Sequence, residues 1–412
     1  MSGFSFIHAA DLHLGSPLAS LATRDADLAR RLAAAGRHAF EDLVTQAIER
    51  QVAFVVVAGD VYDGDWADNT IGLFFARQVA RLDRAGIPTI LVRGNHDAES
   101  VITKSITLPP SVHVFEAKRA GTHRLDALRV ALHGRSFENR AVPENLSLTY
   151  PEALPGWFNL GILHTSCTGH AGHETYAPCS IADLQARGYD YWALGHIHEY
   201  AELSRDPWIV FPGNLQGRSI RECGQKGAVL VAVSDGRVTG LTRLALDRAR
   251  FEQVSVDLTD ATDTRSAIEA AEAVLGPLAD AAAGRLVLVR VHLSGTTKAH
   301  DALAADRDGV TAEIQAAAHR LHEDLWLERL KIATRRPPAA VESSGAAIDP
   351  AALMADLDRD PEFRTRAGAA LAQIRGRLPA PVAAEADLEA EFDALCAEAE
   401  ALILGRLTGR HC

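Results

Sequence analysis

The residues best suited to chemistry fall into five clusters along the chain. They are Asp11-Leu12-His13, Gly59-Asp60-Val61-Tyr62-Asp63, Gly94-Asn95-His96-Asp97, the single His164, and Gly195-His196-Ile197-His198. Aspartate, asparagine and histidine offer hard oxygen and imidazole donors without thiolate. That set suits Mn²⁺, Fe²⁺ or Zn²⁺ better than an all-oxygen Ca²⁺ site. The donors are too many for one four-coordinate ion. They fit two ions about 3.5–4 Å apart that share one carboxylate. Such a pair grips a phosphate ester, and the reaction it serves is in-line hydrolysis by a hydroxide held between the ions. A lone Asp-x-His or His-x-His pair is weak evidence, since Asp and Asn beside Gly are common turn residues. The joint occurrence of all five clusters, each after an apolar stretch, carries the reading.

These clusters need elements to bring them together. Residues 4–10 read as a largely apolar strand. Residues 24–50 read as a helix, with Leu28, Leu32, Phe40, Leu43, Ala47 and Ile48 near a 3.6-residue period. A β-branched run over 53–58 ends at Gly59, a helix is predicted over 70–85, and a strand over 89–93 ends at Gly94. This alternation predicts right-handed βαβ units and a parallel sheet buried on both faces. In such sheets ligands bind at the carboxyl ends of strands, where the clusters lie. Shorter strands are expected at 112–116, 128–133, 158–164, 189–195, 207–211 and 227–233, with one helix near 180–187. Residues 1–245 therefore read as one large layered α/β domain.

A different alternation follows: strand 251–257, helix 263–276, strand 285–293, helix 310–322 and strand 325–333. It predicts a small α/β domain over 246–333. Residues 334–348, with Pro337-Pro338 and Ser343-Ser344-Gly345, read as a linker. Residues 349–412 read as a helical tail. Asp349-Pro350 and Asp360-Pro361 each look like an N-cap before a first-turn proline. The last helix, 385–404, sets Leu388, Phe392, Leu395, Leu402 and Ile403 on one face, with Gly405 as its stop.

Composition narrows the function classes. The 412 residues allow two or three domains, and 47% hydrophobic with 23% charged residues is a globular balance, not a disordered one. With 42 basic and 54 acidic residues the net charge is -12, so the chain does not coat nucleic acid by bulk charge. Any such contact would need a local patch, a metal site or a partner. Five cysteines without a Cys-x-x-Cys pair argue against a disulfide framework or a zinc cluster. No secretory signal is evident at the N-terminus, and no apolar run reaches the roughly 18 residues needed to span a membrane. A cytoplasmic protein with no membrane contact is expected. Walker A, dinucleotide-binding and nucleophile-elbow motifs are all absent.

The five clusters together resemble the signature of calcineurin-like metallophosphoesterases. Within that family the chain is most similar to the DNA-exonuclease branch of SbcD type and its YhaO-like bacterial relatives. The similarity also rests on residues 8–15 (HAADLHLG), 134–137 (GRSF), 189–198 (YDYWALGHIH), 212–218 (PGNLQGR) and 224–227 (GQKG). The resemblance spans about residues 4–235 and implies a layered metallophosphoesterase sandwich, with the small α/β domain as a cap. It implies that Asp11, His13 and His198 hold one divalent ion and Asn95, His164 and His196 the other, with Asp60 bridging; Mn²⁺ is the expected metal. It implies that His96 assists the leaving oxygen, with Asp63 pairing to it. Some nuclease relatives carry His at the position of Asp63.

The implied function is hydrolysis of DNA as an exonuclease in DNA repair. The tail's apolar stripe would either pack on its own domain or, as the resemblance favours, dock an SMC-like ATPase, and the sequence leaves a homodimer open. Two rivals stand beside this: hydrolysis of small phosphodiesters or nucleotides, and a non-catalytic subunit of an SMC-like ATPase complex. Arg93, Arg135, Asn214 and Arg218 are candidate substrate contacts, with Gln216 in the same loop as Asn214. His8 reads as a packed histidine, His170 and His173 as solvated loop residues, and Cys167 and Cys179 as plain thiols. Tyr62 and Trp66 flank the metal loop and would either stack on a base or pack beside the sheet.

Overall fold

The computed structural model describes residues 3–16, 26–63, 70–99, 107–167, 176–282, 284–337 and 360–375, and positions 377, 392, 395, 396, 399 and 403. The sequence expectations for Trp66, His170, His173, most of the linker, Asp349-Pro350, Leu388, Leu402 and Gly405 lie outside the described residues. Two compact units are present, Met1–Glu252 and Gln253–Cys412.

In the first unit, β1 (Phe4–Ala9), β2 (Phe54–Ala58), β3 (Thr89–Val92) and β4 (Val112–Val114) pair in parallel. The helices α1 (Ala26–Glu49) and α2 (Thr70–Arg84) connect them. Strands β11 (Gly227–Ser234) and β12 (Arg237–Ala245) complete the sheet on the other side of β1, in the order β12-β11-β1-β2-β3-β4. A second six-stranded sheet has the order β5-β6-β7-β8-β10-β9. Its members are β5 (Gly121–Leu125), β6 (Val130–Gly134), β7 (Phe158–His164), β8 (Tyr191–Gly195), β9 (Tyr200–Arg205) and β10 (Trp208–Pro212).

The two sheets stack face to face. Between them lie Phe6, Phe54, Val56, Ile90, Val92, Leu132, Phe158, Leu160, Ile162 and Tyr191, all fully buried. Phe6 and Phe54 stack at 4.8 Å, and Tyr191 meets Phe6 edge-on at 5.4 Å. Burying a Phe or Val side chain contributes about 1.5–3 kcal/mol, so this layer fixes the strand ends rigidly. A second layer lies between the first sheet and the two helices, where Phe40, Phe74 and Phe75 pack on Val55 and Val57. This is the layered α/β sandwich expected from the sequence.

Strands β5, β9 and β12 are absent from the sequence expectations. Each is a half-exposed strand in an antiparallel pair; β5, for example, is Gly-Thr-His-Arg-Leu. Backbone pairing with a longer apolar neighbour holds them, and that leaves little hydrophobic pattern to read.

Glycine permits the closest approaches near the site. A β-carbon on Gly195 would collide with the carbonyl of Ala58, and one on Gly94 with the Asp60 carboxylate and the His164 ring. Gly195→Ala should therefore destabilise the first unit by about 1–3 kcal/mol, the usual cost of overpacking. Urea unfolding would measure this, and a midpoint equal to wild type would contradict the packing described.

The second unit contains the rest of β13 (Ala249–Asp257), β14 (Leu286–Ser294) and β15 (Leu325–Ile332), in a three-stranded sheet ordered β13-β14-β15. Helices Thr264–Ala281 and Arg307–Leu321 supply Ala267, Ala271, Leu275 and Ile314 to its core. Helix Pro361–Arg375 begins as the sequence suggests, with Asp360 Oδ1 accepting from the backbone of Glu362 and Phe363 at 2.8 and 2.9 Å. None of its residues is buried. Among the described residues no helix is long and apolar enough to cross a membrane.

Candidate metal centre

Five strand ends deliver the site. The chain leaves β1 into Asp11 and His13, β2 into Asp60 and Asp63, β3 into Asn95 and His96, β7 at His164 and β8 into His196 and His198. The backbone turns sharply at these points. Asp11, His13, Asp60 and His196 all have positive φ, at 51°, 42°, 53° and 100°. Non-glycine residues seldom adopt this region, at a cost of order 1–3 kcal/mol each, and it persists where surrounding structure overrides it. Here the surroundings are hydrogen bonds between loops. Asp11 N and His13 N donate to Gly59 O and Asp60 O, both at 3.0 Å, and Asp11 accepts from His196 N at 3.0 and 3.2 Å.

Asp97 belongs to this framework. Its carboxylate accepts from the backbone of Val61, Tyr62 and Gly94 at 3.0–3.2 Å, stapling the loop after β2 to the loop after β3. Burial and the nearby Asp60 push its pKa up to about 6.

The donor atoms converge in two groups. In the first, the Nε2 atoms of His13 and His198 lie 3.1 Å apart and 4.0 and 3.8 Å from Asp11 Oδ1. In the second, His164 Nε2 lies 3.0 Å from Asn95 Oδ1 and 3.4 Å from Asp60 Oδ2. The His196 ring lies 5.2 Å from the His164 ring. Asp60 Oδ2 also stands 3.9 Å from His13 Nε2, so one carboxylate faces both groups.

These spacings fit cations. Atoms about 2.0–2.2 Å from a common ion stand close to one another in this way. His164 donates from Nδ1 to Ala58 O at 2.9 Å, which leaves Nε2 for the site. The electrostatics agree. Burial disfavours a charge on His164, yet Asp60 and Asp11 overcome it and lift the pKa to about 9. Burial likewise disfavours the Asp60 carboxylate, but His164 and His13 hold its pKa well below the usual range. The pocket calls for positive charge.

His96 sits beside these groups and is partly exposed. Its Nδ1–H donates to Asp63 Oδ1 at 3.1 Å, and this bond raises its pKa against the opposing effect of burial. Its backbone N–H donates to Asp60 Oδ1 at 3.0 Å. Asp63 also stands 3.7 Å from His13 Nδ1.

Other sequence candidates lie elsewhere or have other partners. Asn214 is fully buried and donates to Gln216 O and Glu222 Oε2, both at 2.8 Å, so it braces the loop and has no face for a substrate. Gln216 is buried as well and accepts from Arg248 N and Ala249 N. Arg135 donates to Ala117 O at 2.9 Å, and Arg93 is half-buried. The guanidinium of Arg218 faces carboxylates, Glu222 Oε1 at 3.0 Å and Asp63 Oδ2 at 3.5 Å. Tyr62 is buried against Phe75 and offers no platform for a base. His8 packs between Tyr191 OH at 3.0 Å and Leu194 O at 3.1 Å, and burial takes its pKa down to about 3. Cys167 and Cys179 are buried thiols.

Glu222 was not singled out by the sequence. It accepts from His198 Nδ1 at 2.7 Å, yet stands 24 residues further along in no recognisable motif. Its one signal, the neighbouring Arg218 at i-4, reads as a surface pair.

Residues 4–200 match the calcineurin-like phosphoesterase family, and residues 251–335 match the middle domain of the metallophosphoesterase YhaO. The uncharacterized metallophosphoesterase YhaO of Bacillus subtilis is 33% identical over 300 residues, which cover 72% of this chain and 73% of that protein. The chain belongs to the calcineurin-like metallophosphoesterase family. The DNA double-strand break repair protein Mre11 of Sulfurisphaera tokodaii is similar at 25% identity over 60% of this chain and 64% of its own length. The SbcD component of the nuclease SbcCD of Escherichia coli is similar at 24% identity over 58% and 67%. As a metallophosphoesterase the chain is a hydrolase, and members of the family bind divalent metal ions. The middle-domain match carries the similarity beyond the residues on which the sequence motifs rest.

Proposed function

We propose that this metallophosphoesterase hydrolyses phosphodiester bonds in DNA, as a Mn²⁺-dependent exonuclease acting in repair. The observation that carries the chemistry is the single Asp60 carboxylate facing two donor groups, with the His96–Asp63 pair alongside. The names of the Mre11 and SbcCD relatives support DNA as substrate. In this reading Asp11, His13 and His198 hold one cation, Asn95, His164 and His196 hold the other, and Asp60 lies between. When bound, the two cations neutralise the phosphate and make water nucleophilic near pH 7.

The protein's own groups do the rest. Asp63 accepts from His96 Nδ1 and favours the imidazolium. The remaining ring N–H can then pass a proton to the departing sugar oxygen. Asp97 and the Gly94 turn keep His96 in register with Asp60. The tail over 349–412 would dock an SMC-like ATPase, consistent with the lack of buried residues in helix Pro361–Arg375.

The test is an assay of the full chain with Mn²⁺ on end-labelled linear duplex and single-stranded DNA, beside bis(p-nitrophenyl) phosphate. Progressive, metal-dependent shortening of DNA is expected. Cleavage of the small diester alone would favour the small-phosphodiester reading, and no hydrolysis of either would favour a non-catalytic subunit.

A further inference from the structure

The His198 side of the site has a second layer. The carboxylate of Glu222 is locked by several donors. Oε2 accepts from Arg218 N at 2.7 Å and Asn214 Nδ2 at 2.8 Å; Oε1 accepts from His198 Nδ1 at 2.7 Å and Arg218 Nη2 at 3.0 Å. Arg218 Nη2 also stands 3.3 Å from His198 Nδ1, but guanidinium only donates, so the imidazole proton points to Glu222. Lys226 Nζ donates to His198 O at 2.7 Å and pins the backbone of the same residue. On its other side, Arg218 Nη1 approaches Asp63 Oδ2 at 3.5 Å, while Asp63 Oδ1 holds His96.

We propose that Glu222 and Arg218 are positioning residues. Glu222 fixes His198 in the tautomer that presents Nε2 to the metal, and Arg218 braces Asp63 beneath His96. Salt bridging to Arg218 alone would be an ordinary structural role for Glu222. The geometry argues for more, because the contact to His198 is the shorter one and His198 Nε2 ends 3.1 Å from His13 Nε2. A carboxylate behind a ligating histidine orients the ring and raises its basicity, and its loss typically costs about 10–100-fold in metal affinity. The chain Glu222–Arg218–Asp63–His96 also ties the ligand side of the site to the proton donor.

This inference rests on the metal-ligand reading of His198, so its test separates the two. Mn²⁺ would be titrated calorimetrically into metal-free full-length wild type, Glu222→Ala, Glu222→Gln, Arg218→Ala and Asp60→Ala. Glu222→Ala is expected to weaken one of the two sites by about 10–100-fold and leave the other unchanged. Glu222→Gln keeps an acceptor for His198 and should lie at the low end of that range; it carries the test if the alanine variant does not fold. Arg218→Ala should bind both ions but lose kcat about 10-fold on a nucleoside diester, within the range for outer-shell groups. Its loss on bis(p-nitrophenyl) phosphate should be smaller, because that leaving group needs little protonation.

Wild-type affinity at both sites in the two Glu222 variants, with binding lost in Asp60→Ala, overturns the Glu222 role alone. An equal loss on both substrates in Arg218→Ala overturns the brace. Unchanged binding in Asp60→Ala overturns the metal reading itself.

Discussion

Asp60→Ala is expected to reduce bound Mn²⁺ from two ions per chain to one or none and to reduce hydrolysis by on the order of 10³-fold or more. The Asp60 carboxylate lies 3.4 Å from His164 Nε2 and 3.9 Å from His13 Nε2, the nearest approach to both groups, with Asp11 further from each. Paired metals supply several kcal/mol of transition-state stabilisation, and each ~1.36 kcal/mol is tenfold in rate. The same substitution also removes the acceptor for His96 N–H. Equilibrium dialysis gives the stoichiometry and an initial-rate assay the activity. Thermal unfolding offers an independent readout. A ligand at 100 times its Kd stabilises the fold by about 2.7 kcal/mol, so Mn²⁺ should raise the wild-type Tm by a few degrees and the variant's by less. A variant with two ions and a wild-type rate would end the two-metal reading.

His96→Ala should behave differently. Its expected loss is about 10²–10⁴-fold in kcat on a nucleoside diester, the usual contribution of a general acid, with both ions retained. The loss should shrink on bis(p-nitrophenyl) phosphate, whose phenolate departs unaided. The distinction matters because His96 also stands close to His13 and Asp60, near enough to form a third donor cluster with them. If the variant loses an ion, His96 is a ligand and the proton donor must be sought elsewhere. If kcat falls equally on both substrates with metals intact, His96 acts by binding the phosphate and not by protonating the leaving oxygen.

Much of the sandwich could be read from the residues because its central strands are buried on both faces. The run at Phe54–Ala58 is apolar throughout, and the run from Phe158 is apolar but for Asn159 until it reaches His164, so both end at the chemistry. The edge strands could not be read this way. Strand β12, for instance, carries Arg237, Thr239, Thr242 and Arg243 and is held by its register against β11. The side-chain directions in the loop after β10 were hidden for a related reason. Asn214 and Arg218 lie in one loop, and a loop sequence does not say whether a side chain turns out to a ligand or in to a carboxylate. Both turn in.

From the residues alone came the candidate donors and the order in which strands would present them. Those are local properties, since an Asp or His just past an apolar strand is carried to the sheet's edge whatever the rest of the chain does. Which donors face one another, that Asp60 stands between two groups, and that Glu222 lies behind His198 were decided only by the tertiary structure. Each contact joins separate loops, and its geometry depends on the stacking of two sheets and on backbone turns of unfavourable φ that neighbouring loops enforce.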